Sequence, residues 1–161
     1  MLRAGVGNQQ KSAPRSWNLL IFSVGGRRLA AKTDEVAGIS EWKESVPVPS
    51  RTPFISSVVR HDQTVLPVFD LAELLHVSVR GNYPLCLTAK HPRGTMAICI
   101  DEEMPMLQTL DPSAIQQYQG SEFTAIGSFL SGHVEIPIIA LSKLGSASSS
   151  SHHDIGKNRK V

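Results

Sequence analysis

The sequence predicts a mainly β fold built from small, curled antiparallel sheets or barrels, and three observations carry that prediction. Strand-like apolar runs are short, with turn signals between them at close spacing. Helical patterns are brief, a turn or so each. A stretch of the first half, VLPVFDLAELL, returns 70 residues later as EIPIIALSKLG.

Taken in order, residues 19–31 are two short runs, LLIFSV and RRLAA, around a Gly-Gly pair, which is a tight hairpin. TDEVAGIS at 33–40 continues as a strand. KESVPVPSRTP at 43–53 holds three prolines, so it runs extended over the surface rather than inside a sheet. QTVLPVFDL is a strand, and LAELL is a short helical turn with Asp70 placed to cap it. YPLCLTA and TMAICIDEE form a second hairpin around KHPRG, with Cys86 and Cys99 facing each other across it as buried thiols. MPMLQTL is another apolar run, and its methionines read with Met96 as core or groove filling. DPSAIQQYQG is turn or short helix. FTAIGSFLSGHVEIPIIALSKLG closes the fold, with Gly145 where a helix C-terminus favours glycine.

The repeat aligns Leu66, Pro67, Val68, Leu71 and Leu74 with Ile136, Pro137, Ile138, Leu141 and Leu144. Ser57 meets Gly127 and Asp62 meets Gly132, whereas Phe54 meets Phe123 only across one gap. Proline cannot donate to a ladder, so it sits at an edge, a bulge or a bend. One proline at the same point of both copies implies a shared bend, as closing a small barrel requires.

The formal charge of +2 over 161 residues is unevenly spread. Residues 17–145 carry ten basic and thirteen acidic side chains and net −3; the two ends net +5. That argues against a basic face for nucleic acid. Two cysteines do not make a disulfide scaffold. No segment reaches the ~20 apolar residues needed to span a bilayer, and residues 1–16 lack the apolar core of a signal peptide, so the expected compartment is the cytoplasm. GGRR lacks the Lys-Ser or Lys-Thr of a phosphate loop. Histidines 61, 76, 91 and 133 have no metal-ligand spacing. There is no Gly-x-Ser-x-Gly elbow, and Asp101-Glu102-Glu103 reads as a solvated turn. The expectation is a non-enzyme with no cofactor and no metal.

Phe-Ile-x-x-Val-Val followed by Leu-Pro-Val-Phe-Asp-Leu resembles the CheW-like domain over about residues 17–145. The family's Val-x-Glu-Ile falls on Thr33-Asp34-Glu35-Val36, keeping the glutamate. Its proline-rich approach falls on Val46-Pro47-Val48-Pro49, and its second-half glycines and proline on Gly127, Gly132 and Pro137. The resemblance implies two SH3-like five-stranded β-barrel subdomains with short helices, sharing an apolar seam. It implies a non-catalytic adaptor whose partners are the cytoplasmic tip of a chemoreceptor, docked in an apolar groove between the barrels, and the regulatory domain of a CheA-type histidine kinase. Its place would be the cytoplasm, at membrane-associated receptor arrays, for chemotaxis or pilus motility.

The chain departs from the family where Asn-Leu-Arg-Gly becomes Arg60-His61-Asp62-Gln63. An arginine that can pair with the glutamate is replaced by Asp62, so two carboxylates are expected to stand close unless Arg60 or His61 supplies a cation. Two turn glycines are also lost, at Ser57 and Gln63. The candidate partner-binding residues are therefore Glu35, Val36 and Ile39 on one strand and Arg60, His61 and Asp62 at the rim. The expected organisation is a disordered segment 1–16, a CheW-like domain of two pseudo-repeat barrels over 17–145, and a serine-rich basic tail 146–161, where His152 and His153 touch metal at most loosely. The alternative is a small-barrel regulatory, ligand-binding or nucleic-acid-binding protein outside chemotaxis.

Overall fold

The computed structural model describes residues 15–145, and the expectations for 1–14 and 146–161, His152 and His153 among them, lie outside the described residues. The fold is mainly β, in two sheets. Strands β1 (Trp17–Val24) and β2 (Arg27–Lys32) form the first hairpin. Its turn is Gly25-Gly26 with φ of +63° and +82°. Positive φ at both central residues matches the right-handed twist of the flanking strands and favours glycine. A Cβ on Gly25 would also stand 2.5 Å from Val77 Cβ.

The first sheet runs β10-β11-β2-β1-β9, with β9 at Met106–Leu110, β10 at Ala125–Ser131 and β11 at Val134–Ile139. Its two ends are joined by the chain: after β9, Gln116 exchanges two 2.8 Å backbone hydrogen bonds with Ser128 of β10. The second sheet runs β3-β7-β8-β6-β5-β4, from β3 (Val36–Glu41), β4 (Ser45–Pro47), β5 (Ile55–His61), β6 (Thr64–Phe69), β7 (Leu85–Ala89) and β8 (Met96–Ile100). Here β3 leads straight into β4, which pairs with β5, so this sheet also curls round on itself. The proline-rich stretch contributes only three residues of edge strand, as its missing donors dictate. Helix α1 (Leu71–Leu75) follows β6, and a 3-10 turn (Leu141–Lys143) follows β11.

Five strands of each barrel correspond in topology, one to one; β4, the sixth strand of the second sheet, has only an isolated bridge as its counterpart. Val58 faces Pro67 and Ser128 faces Pro137 in the hairpins. Val68 makes a single parallel bridge to Ala97 of β8, and Ile138 makes one to Ala30 of β2. Each proline therefore directly precedes a one-residue parallel junction. Beyond β6, Asp70 N–H donates to Phe54 O at 2.7 Å, and Ala140 N–H donates to Thr124 O at 2.9 Å. Phe54 thus corresponds to Thr124, and the gapped pairing of Phe54 with Phe123 is corrected: the backbone contact continues the offset of 70 unbroken. The likeness also reaches further than the sequence repeat. Val46 pairs with Val58 just as Gln116 pairs with Ser128.

Alternation along the strands divides the core into three parts. Leu19, Ile21, Ala30, Phe129, Ile136 and Ile138 fill the first barrel. Val59, Leu66, Val68, Cys86 and Ala97 fill the second, with Trp42 against them. The opposite faces of the same strands, with Phe22, Phe69, Leu87, Ile98, Ile139 and Leu141 among them, build the larger seam between the barrels. Strand β1 is buried on both faces, which explains its unbroken run Leu19–Val24. Each fully buried Leu, Ile or Phe contributes ~1.5–3 kcal/mol, so the seam is the dominant stabilising feature.

Candidate functional site

Where the two copies of the repeat meet, the seam opens into a cleft of about 390 Å³. Phe54, Phe69 and Leu74 line it from one barrel, and Phe123, Thr124 and Leu144 from the other, with Glu122 and Lys143 among the charged lining residues. Phe69 and Leu144 belong to the buried core, while Phe54, Leu74 and Phe123 pack against that core from partly exposed positions. The rings of Phe54 and Phe69 lie 5.8 Å apart, a tilted aromatic pair. The cleft is concave, and its apolar side chains stand beside Ser121, Glu122, Thr124 and Lys143.

Both flanks of the cleft are held by residues outside it. The segment before β10 is fixed from β2: Arg27 sits 5.7 Å over the Phe123 ring, donates to Tyr118 Oη at 2.8 Å and pairs with Glu122 at 3.5 Å. Tyr118 stacks on Phe123, its hydroxyl pKa pushed up by burial. The carboxyl of Glu122 is held below its usual range, first by its own backbone N–H and then by the Arg27 charge acting against burial. The segment after β11 is fixed by Glu35. Its Oε1 accepts from Leu141 N–H at 2.9 Å and its Oε2 from Ser142 Oγ–H at 2.8 Å. In copy one, by contrast, the side-chain acceptor is local: Asp70 caps α1 by accepting from Glu73 N–H.

The candidate partner-binding residues therefore divide. Glu35 is turned to the C-terminal turn, and Val36 packs against the seam core. Ile39, also against that core, lines a second cleft of about 410 Å³ together with Ser40, His61 and Thr64. His61 is shared with an adjoining cleft lined by Glu41, Lys43, Arg60 and Asp62. Ile39, Arg60, His61 and Asp62 thus gather at one end of the second barrel. The expected crowding of Glu35 and Asp62 is corrected: the Glu35 carboxylate is committed to Leu141 and Ser142, while Asp62, 89% exposed, has His61 Nε2 beside it at 3.8 Å. Asp62 also takes the left-handed φ of +54° in its hairpin turn, as Gly132 does at +65° in the other copy. Short polar side chains tolerate that conformation better than most.

Two expectations outside these surfaces need correction, and a third holds only in part. Asp101 is buried rather than solvated, because it accepts from Gly25, Gly26 and Arg80 N–H, each at 2.8 Å, and so pins the Gly-Gly turn. Met96 is core, but Met104 and Met106 are exposed at the edge strand β9, beside Leu107. Cys86 and Cys99 do oppose each other in β7–β8, but only Cys86 is buried and Cys99 is half-buried; burial pushes both thiols up, Cys99 to about 12 with Cys86 adding to the shift. Among the described residues no group of three or more His, Cys, Asp or Glu is placed to hold a metal ion. No helix of the described residues is long and apolar enough to cross a membrane.

Comparison with known proteins agrees with this architecture. Residues 18–144 match the family of CheW-like domains. The solved structure of the scaffolding protein TtCheW from Thermoanaerobacter tengcongensis is similar in fold, with a TM-score of 0.69 at 15% identity, covering 83% of this chain and 94% of that one. No curated protein matches the sequence.

Proposed function

The chain belongs to the CheW-like domain family, and on that premise we propose that it joins the cytoplasmic tips of chemoreceptors to the regulatory domain of a CheA-type histidine kinase. A coupling role in chemotaxis, without chemistry of its own, is what the family carries in general. The finer reading rests on the inter-barrel cleft, whose aromatic and leucine lining comes from both halves of the molecule. An apolar groove of that kind takes the apolar face of a helix, read as anchors on one stripe. The receptor tip is the helical partner we assign to it.

For the kinase domain we assign the end of the second barrel, where Ile39, Arg60, His61 and Asp62 meet. Its mixed charges suit discrimination between partners more than raw affinity. The array it serves belongs to chemotaxis or to pilus motility, on the cytoplasmic side of the membrane.

The full chain can be titrated separately against a receptor-tip helical hairpin and a kinase regulatory domain at moderate salt. Leu74→Ser is expected to weaken tip binding by roughly tenfold and to spare the kinase domain. Asp62→Arg is expected to change kinase-domain binding severalfold and to leave the tip unaffected. Failure of the wild-type chain to bind either partner would overturn the proposal, as would its failure to restore array assembly in cells lacking their own adaptor.

A further inference from the structure

We infer that Glu35 is a positioning residue for the inter-barrel cleft, and not a residue that touches what docks there; this rests on the reading of that cleft as a docking groove. Four observations lead to it. Both carboxylate oxygens are already occupied, by Leu141 N–H and Ser142 Oγ–H. The turn so held runs directly into Lys143, Leu144 and Gly145, which form one wall of the cleft, whereas Glu35 does not line it. The same corner is closed from a second side: Lys90 N–H donates to Glu35 O at 2.9 Å, and His91 Nε2 lies 3.0 Å from Leu144 O.

The fourth observation is an internal control. At the start of α1 the chain supplies its own acceptor, Asp70. Seventy residues later that position is Ala140, which has no side-chain oxygen, and the turn has no cap from its own N-cap residue. The donor matching Glu73 N–H, Lys143 N–H, turns to the backbone Ala140 O at 3.0 Å, and the one side-chain carboxylate on this turn comes from 106 residues away, to Leu141 N–H. A free backbone donor at a helical turn costs stability unless it finds a partner. Glu35 meets that need and, in doing so, ties the entrance of the second barrel to a wall of the cleft. Its effect on docking is then carried by the set of Leu144 and its neighbours.

The test uses the full chain with four substitutions. Glu35→Ala removes both bonds. Glu35→Gln keeps an acceptor for Leu141 N–H. Ser142→Ala removes one bond with the least risk to folding. Asp111→Ala, which uncaps the 3-10 turn at Pro112–Ala114 away from the cleft, controls for mere loss of stability. Hydrogen exchange at amides 141–145 and titration with the receptor-tip helical hairpin are read side by side. Glu35→Ala is expected to speed exchange there by roughly tenfold and weaken tip binding about as much. Gln should restore part of both, Ser142→Ala should show a smaller loss of both, and Asp111→Ala should change neither. Weaker tip binding with unchanged exchange would make Glu35 a contact residue and overturn the inference. So would faster exchange with full tip affinity. If the wild-type chain binds no tip, the docking reading falls by itself, and unchanged exchange in Glu35→Ala would be needed to remove the staple as well.

Discussion

The hairpin β5–β6 with helix α1 and the hairpin β10–β11 with its 3-10 turn have the same register, the same proline and the same parallel junction, yet they solve three local problems differently. Inside the barrels, Val59 occupies the place where the other copy has Phe129. At the hairpin tip, one copy presents Arg60, His61 and Asp62, while the other presents Leu130, Ser131 and Gly132. After the strand, one copy caps its helical turn from within and the other borrows Glu35. What the two share is backbone geometry. What differs is the side chain each environment demands, and the difference at the tips gives one barrel a charged end where the other has Leu130, Ser131 and Gly132.

The interior difference predicts the largest effect. Phe129→Ala should cost about 3–5 kcal/mol, and Val59→Ala about 1–3 kcal/mol, because the first barrel depends on one large ring where the second spreads its packing over smaller groups. Denaturant midpoints of the two variants check this. Equal losses would mean that the barrels are filled alike. Next come the caps. Glu35→Ala should cost about 2–3 kcal/mol by freeing two charge-assisted bonds, against about 1 kcal/mol for Asp70→Ala. A smaller loss for Glu35 than for Asp70 would break the contrast between remote and local capping.

The turns follow. Asp62→Gly should raise stability by about 0.5–1 kcal/mol and Gly132→Ala should lower it by about 1 kcal/mol, since both positions hold left-handed φ. Thermal melts of the pair decide it; a lower melting point for Asp62→Gly, or no loss for Gly132→Ala, would show that the tips are not equivalent. The smallest effect concerns reactivity. Cys86 occupies the interior of the second barrel, and both thiols are pushed up by burial. Native protein at pH 8 should therefore alkylate far more slowly than unfolded chain, with the Cys99 rate still climbing toward pH 12. Fast modification in the native state would mean that the second barrel opens without unfolding.

The sequence carried the repeat because β6 and β11 are buried in the same register, so their apolar positions and prolines had to coincide. The equivalence of β3 with β9 was hidden, since β3 lies against the seam and β9 is an exposed edge, and different surroundings select different residues. Glu35 showed itself as a kept family residue, but its partner did not. Hydrogen bonds to backbone N–H leave no trace in the donor's side chain. The available signal was Ala140, a cap position without a cap. Asp101 was misread for a related reason: its partners are three backbone amides, and an acidic run beside a strand end looks solvated until the Gly-Gly turn is seen to need acceptors. The rim cluster of Arg60, His61 and Asp62 was legible because it is consecutive in the chain; that Ile39 stands beside it required the fold.

The strand order has a temporal consequence. The second barrel is continuous, from Val36 to Ile100, while the first is assembled from Trp17–Lys32 and Met106–Ile139. As the chain leaves the ribosome, the inner barrel has all its strands before the outer one has its third. The outer barrel must hold β1 and β2 waiting until β10 and β11 emerge, and their exposed seam face then rests on the finished neighbour. Nascent chains arrested shortly after Leu110 has cleared the exit tunnel should protect β5–β8 from protease while β2 stays cleavable, so the last-made strands act as the closing clasp of the whole molecule.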